Sequence, residues 1–223
     1  MSDADSFIDE VTEEVRRDRM FLALKRYGWI GGVVVAVIVG GAAYREFDQA
    51  RTTASAEALG DSIIAALAEN DTDKRAESLA TVTAETPGGD AILKMLQAGA
   101  LANSDQVPAA VALLGEVALN ADLPLIYRHT ATYKALALQH DTLSVQDRRL
   151  QYEALSQPGA PLRLLAQEQL ALIDIAESDV EAAITRLRAI IEDAEVRADL
   201  QDRARQVIVA LGGKLEVETP SQG

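Results

Sequence analysis

Residues 27–44, YGWIGGVVVAVIVGGAAY, form an apolar run of 18 residues that contains no charge. As an α-helix the run would rise about 27 Å, at about 1.5 Å per residue, and the hydrocarbon core of a bilayer is about 30 Å thick. Lys25 and Arg26 precede the run and Arg45 follows it, so their long side chains can reach the two headgroup layers. The run therefore predicts a transmembrane helix.

Aromatic side chains lie at both ends of this run. Tyr27 and Trp29, the only Trp of the chain, stand near its start, and Tyr44 stands at its end. Aromatic rings of this kind are enriched at membrane–water interfaces. We therefore predict that they anchor the helix at the two interfaces, together with the basic residues Lys25, Arg26 and Arg45.

Two other interpretations of the run stay open from the sequence. One is a buried helix of a soluble domain, although such long core helices usually carry a polar stripe. The other is a cleaved signal peptide, because residues 41–43 are small, as a cleavage site requires. The 26 residues that precede the run are long and acidic for the start of a signal peptide, and we interpret the run as an uncleaved anchor.

Small residues recur at every fourth position within the run, at Gly28, Gly32, Ala36 and Gly40. This spacing places them along one face of a helix, where they would let another helix approach closely. We expect this small-residue seam to mediate contacts inside the membrane, with a partner or with a second copy of the chain.

Basic residues predict the orientation of the anchor. The segment before the run carries Arg16, Arg17 and Arg19 in addition to Lys25 and Arg26. The thirty residues after the run carry only Arg45, Arg51 and Lys74. Because positive charge is retained on the cytoplasmic side, we expect a cytoplasmic N-terminus and a remainder on the opposite side of the membrane.

Composition narrows the functions open to the 223-residue chain. Its formal net charge is −14, and the part after the run carries 28 acidic and 16 basic residues. Such a surface repels nucleic acid, so no nucleic-acid partner is expected. There is no cysteine, which excludes a disulfide scaffold and thiol chemistry.

The remainder of the chain reads as a series of helices, and we predict an all-α fold. Residues 1–26 form a tail with an amphipathic helix that carries Phe7, Val11 and Val15 on one stripe, and residues 213–223 form a disordered tail. Between residues 45 and 212, polar or Pro- and Gly-containing breaks separate the predicted helices 45–69, 73–85, 90–102, 107–120, 123–139, 144–156, 162–177, 180–194 and 197–211.

Small residues also recur across these helices. Ala98, Ala135 and Ala171 lie 37 and 36 residues apart. Twelve positions after Ala98 stands Ala110, and four positions later stands Leu114. In the same way, Ala171 is followed by Ala183 and then by Leu187. Two helices pack closely only where small residues let them, so this spacing predicts stacked helical hairpins.

The spacing at these positions resembles a tetratricopeptide repeat, although Asp147 stands twelve residues after Ala135. The layout of charged tail, single span and acidic helical domain is similar to the YfgM-like family of ancillary SecYEG translocon subunits. This resemblance implies a bacterial inner-membrane protein with a periplasmic domain that assists the transfer of exported proteins to periplasmic chaperones. The alternative is a membrane-anchored structural scaffold of an envelope or cell-division complex.

The sequence shows no catalytic, cofactor or metal site. His129 and His140 are eleven residues apart, which places them about 16 Å apart along a helix, too far to share one metal ion. No phosphate-binding glycine loop and no Ser/His/acid constellation is present. We therefore predict a protein that is not an enzyme and that needs no cofactor.

Overall fold

The computed structural model describes the backbone of residues 3–214 and the side chains of residues 25, 26 and 29–214. In this part of the chain every regular element is an α-helix, as expected. The helices are α1 (Asp3–Leu67), α2 (Thr72–Thr81), α3 (Pro87–Asn103), α4 (Val107–Leu119), α5 (Leu125–Leu138), α6 (Val145–Leu155), α7 (Arg163–Ala176), α8 (Val180–Glu192) and α9 (Ala198–Ala210).

The chain divides into two compact units, Met1–Ala58 and Leu59–Gly223. The first contains most of α1, which continues the predicted membrane run without a break on either side. The second contains the end of α1 and helices α2 to α9. The tail stripe at Phe7, Val11 and Val15, and the tail beyond Lys214, lie outside the residues whose side chains are described.

Side-chain capping explains the starts of four of the described helices. Asp71, Thr86, Ser144 and Asp179 precede α2, α3, α6 and α8, and the side-chain oxygen of each accepts a backbone N–H of the first turn. These residue types are preferred at this position because they satisfy donors that have no partner within the helix.

The predicted turn at residues 86–89 is wrong. Thr86 is the N-cap of α3, and its Oγ1 accepts the N–H of Gly89 at 3.1 Å, so Pro87, Gly88 and Gly89 form the first turn of the helix. Proline suits this position because its missing N–H would have no helical partner. A Cβ on Gly89 would lie 3.0 Å from Leu59 Cδ2 and from Thr86 Oγ1, so a larger residue here would have to displace these side chains.

Helix α2 also ends earlier than predicted, at Thr81 instead of residue 85. Val82 is extended, with ψ of 140°. The sequence here is Thr81-Val82-Thr83, and β-branched side chains lose rotamer freedom in a helix. The chain therefore leaves the helix at this run.

The core of the Leu59–Gly223 unit extends along the chain instead of around one centre. Consecutive helices pack on each other in order from α2 to α9, and α3 also contacts α5. Separate clusters of buried side chains join α1, α2 and α3, then α3, α4 and α5, then α5, α6 and α7, and finally α7, α8 and α9. Each cluster shares a helix with the next, which is the arrangement of a helical array.

This array has an internal period of 73 residues. Helices α2 to α5 form the first module and helices α6 to α9 the second. The pairs of buried residues 73 positions apart are Leu79 and Tyr152, Leu93 and Ala166, Ala98 and Ala171, Ala100 and Ile173, Ala110 and Ala183, Leu114 and Leu187, Val117 and Ile190, and Ala131 and Ala204. The four predicted small positions outside α5 and both leucines therefore lie in the core.

Hydrogen bonds repeat with the same period. Arg128 Nε donates to Ala118 O at 3.3 Å in the first module, and Gln201 Nε2 donates to Ile191 O at 3.0 Å in the second. Residues 104–106 and 177–179 make the same left-handed turn, with φ of 57° at Asp105 and 67° at Ser178. Equal burial and equal bonding at one spacing identify two copies of the same arrangement.

One predicted repeat position is wrong. The fully buried alanine of α5 is Ala131, and Ala135 is only partly buried. The interval from Ala98 to Ala131 is 33 residues, not 37, and the same interval separates Ala171 from Ala204. The rotation of a helix face over four residues explains why both alanines lie on the packed side of α5.

Helix α9 is the last helix of the described residues, and its outer face is not covered by another helix of that part of the chain. Leu136 of α5 is buried against the next helices, whereas its counterpart Val209 in α9 is 58% exposed. Tyr133, which contacts Tyr152, corresponds to the exposed Gln206. A polar outer face is typical of a terminal helix in a repeat protein.

Candidate protein-binding surfaces and membrane segment

The apolar run of α1 has no packing partner within the described chain. The helical segment Trp29–Leu67 contains a stretch of 18 residues that is apolar enough to cross a membrane. None of the residues in that stretch is buried. Its valines and isoleucines are 43–68% exposed. This helix is long and apolar enough to cross a membrane, and a buried core helix would have its apolar side chains covered.

The predicted small-residue seam lies on this exposed helix. Gly32, Ala36 and Gly40 are exposed, and a Cβ on either glycine would meet no atom within 4 Å. Gly28 lies outside the described side chains. The seam as a helix-packing face stays a prediction.

The predicted interface anchors are exposed where they are described. Trp29 is 68% and Tyr44 is 72% exposed, and Lys25, Arg26 and Arg45 are also exposed. Tyr27 lies outside the described side chains. Large exposed aromatic rings are unusual on a soluble surface, and their role at the membrane interfaces stays a prediction.

The two histidines lie in different surroundings. His140 Nδ1 is 2.7 Å from the carboxylate of its neighbour Asp141, and both side chains are well exposed. His129 lines a groove of about 310 Å³ with Thr132 and Gln151, and its Nδ1 is buried without a hydrogen-bond partner. Burial, followed by the charge of Arg128, lowers the pKa of His129 from 6.5. Among the described residues no group of His, Cys, Asp and Glu is placed to hold a metal ion.

A buried carboxylate joins three helices of the second module. Asp174 of α7 is 2% exposed, and its oxygens lie 2.8 Å from Arg149 Nη1 of α6 and 3.1 Å from Arg186 Nε of α8. Arg149 also pairs with Glu177 at 2.5 Å. Two guanidinium groups thus compensate one carboxylate that is removed from water, which a buried charge requires.

Further ion pairs connect α7 of the same module to the segment after α8 and to α9. Arg163 Nη1 donates to Asp193 Oδ2 and Nη2 donates to Glu195 Oε2, each at 2.8 Å. Arg203 binds both oxygens of Glu168, at 2.8 and 3.0 Å. The hydrogen bond from Arg163 lowers the pKa of the Asp193 carboxyl.

The sequence interpretation missed the buried network around Asp174. A signal exists in retrospect, because Asp174 interrupts the apolar sequence LALIDIA of residues 170–176. The 73-residue period strengthens this signal, since the first module has Leu101 at the corresponding position.

The described surface therefore offers an exposed apolar helix and open grooves between paired helices, without a recognisable catalytic constellation. The chain matches no family model, and neither a curated protein nor a solved structure is significantly similar to it.

Proposed function

We propose that this chain is a single-pass membrane protein whose helical array binds other proteins. The observation that carries the proposal is the exposed apolar helix, whose membrane-length window has no buried residue. An uncovered apolar surface of this size needs lipid or a protein partner to remove it from water. Lipid is the occupant that fits its length, its apolar composition and its aromatic ends.

The proposed array is of the tetratricopeptide type. In its favour are the closely packed alanines at Ala98 and Ala110 and at Ala171 and Ala183, each pair twelve residues apart, and the recurrence of the arrangement after 73 residues. Repeat arrays present elongated surfaces between helices on which segments of other proteins bind. Attachment to a membrane raises the effective concentration of such a surface near its partners, so that weak contacts suffice.

The proposed location is the bacterial inner membrane, with the N-terminus in the cytoplasm and the array in the periplasm. The excess of basic residues before the span supports this orientation. The resemblance in layout to the YfgM-like family supports SecYEG as the neighbour, with newly exported proteins and periplasmic chaperones as the partners. The proposal includes no enzymatic activity and no cofactor.

Crosslinking in native membranes tests this function. A photoreactive amino acid is placed at an exposed position of the array, such as Thr185, and in a second preparation at Arg205 on the terminal helix. Recovery of translocon subunits together with newly exported chains supports the proposal. Recovery of stable envelope or division proteins alone would favour the scaffold alternative, and a signal equal to that of an unmodified control would contradict binding at both positions.

A further inference from the structure

A groove of about 560 Å³ lies between α7 and α8 in the second module. Gln167 of α7 and Ala189 of α8 lie among its lining residues, and so do the side chains of Thr185 and Arg186. Glu181 and Asp179 line the end nearest the start of α8. The groove therefore combines polar and charged side chains with a larger apolar surface, and it is open to solvent.

In the first module an ion pair joins the positions that correspond to two residues of this groove lining. The residues 73 positions before Gln167 and Ala189 are Lys94 and Glu116. Lys94 Nζ lies 2.8 Å from Glu116 Oε2 and connects α3 to α4. The amide of Gln167 and the methyl group of Ala189 cannot form an ion pair, so this connection between the two helices is absent from the second module.

The ion pair between Arg186 of the lining and the buried Asp174 is a second difference between the modules. Arg186 corresponds to Leu113 and the buried Asp174 to Leu101. The leucine pair shows that this arrangement of helices does not require charge here, and an ion pair replacing apolar contacts seldom adds stability. Arg186 bonds Asp174 only through Nε, so both Nη atoms have no hydrogen-bond partner in the described chain.

The charges of the lining select the ligand. Arg186 and Gln167 offer N–H donors to a carbonyl oxygen, while Asp179 and Glu181 make the formal charge of the lining negative. A free anion would meet these two carboxylates. A polypeptide backbone supplies neutral carbonyl acceptors, and a basic side chain beside them would meet Glu181.

We propose that the α7–α8 groove binds an extended polypeptide segment that carries a basic side chain. Carbonyl oxygens of the segment accept hydrogen bonds from Arg186 and Gln167, and its Lys or Arg pairs with Glu181. This inference rests on the proposed protein-binding function and specifies its binding site.

The test uses the full chain in mild detergent with fluorescein-labelled peptides that resist helix formation. One peptide is rich in Thr and Val with interspersed Lys, and a second has Glu in place of Lys. The double variant Gln167→Lys/Ala189→Glu copies the ion pair of the first module and closes the groove without a cavity. The matched control, Lys94→Gln/Glu116→Ala, removes the ion pair of the first module and leaves the α7–α8 groove intact.

Fluorescence anisotropy should show binding of the Lys peptide, about tenfold weaker binding of the Glu peptide, and a loss of about tenfold in the groove-closing variant. The control variant should bind the Lys peptide like the wild type. The variant Arg149→Ala/Asp174→Leu/Arg186→Leu, which copies Ala76, Leu101 and Leu113 of the first module, should also lose binding while its helical circular dichroism is retained.

Equal binding by the wild type and the groove-closing variant would overturn the assignment of this groove. Absence of peptide binding by the wild type would also overturn it, and client crosslinking that persists in that case would leave the proposed function standing. Failure of both peptide binding and client crosslinking would contradict the proposed function itself.

Discussion

Replacing Ala183 with leucine tests the close packing of α7 and α8 on which the repeat depends. Ala183 of α8 is 0% exposed, and Ala171, the corresponding small residue of the adjoining helix α7, is also 0% exposed. Leucine adds three carbon atoms where no solvent-accessible surface remains. Inserting methylene groups into a packed core costs about 1–3 kcal/mol, because side chains leave their preferred rotamers or the helices separate.

The matched control is Ala189→Leu on the same helix, since Ala189 is exposed and alanine and leucine have similar helix propensities. A substitution at an exposed position is expected to change the free energy of unfolding by no more than about 0.5 kcal/mol. For a domain of this size each kcal/mol shifts the melting temperature by about 2–4 °C. Ala183→Leu should therefore melt roughly 2–12 °C below the wild type.

The assay is thermal unfolding of the full chain in mild detergent, followed by circular dichroism. The 73-residue period adds a second requirement, because Ala110→Leu in the first module should show a loss of similar size. If Ala183→Leu and Ala189→Leu have the same melting temperature, the reasoning is refuted, because α7 and α8 would then not be in close contact at Ala183.

Three further predictions concern the ionic network, the buried histidine and the membrane seam. Asp174→Ala leaves two arginines without their shared carboxylate, and chemical denaturation should show that the free energy of unfolding falls by about 3–5 kcal/mol. An unchanged free energy of unfolding would show that the network is dispensable. Because burial lowers the pKa of His129, the unfolded chain takes up this proton at higher pH than the folded chain, so the free energy of unfolding falls as the pH drops below about 6.5. In His129→Gln the free energy of unfolding should fall less over the same pH range. Identical pH profiles for the variant and the wild type would contradict this role of His129. Gly32→Leu/Ala36→Leu should weaken membrane complexes on a native gel relative to Val35→Leu, and unchanged recovery would count against the seam.

Local chemistry made most of the helices predictable from the sequence. Residues that begin and end helices act within one turn, so the predicted helices 107–120 and 197–211 correspond to Val107–Leu119 and Ala198–Ala210, and Gly212, with φ of 78°, follows the second. Misplaced boundaries arose where two local signals competed. A proline disrupts the middle of a helix but is favoured in the first turn. The cap at Thr86 is what indicates that Pro87 belongs to the first turn of α3.

Features that depend on distant residues were not predictable. Asp105 and Ser178 adopt left-handed conformations that usually favour glycine, because each is held by the end of the preceding helix and the start of the next. The ion pairs of Asp174 come from helices on either side in the chain, at positions 149 and 186. The long apolar helix was predictable from composition alone, whereas the lining of the α7–α8 groove depends on how two helices pack and was not.

Membrane extraction of the full chain tests the central claim most directly. Cell membranes carrying the wild-type chain are washed at high salt and then at alkaline pH, which removes proteins held by surface contacts. The chain should remain in the membrane pellet and be released by mild detergent, and a variant with Val34 and Ile38 changed to lysine should lose this retention. Recovery of the intact wild-type chain in the soluble fraction, without lipid or detergent, would contradict the account.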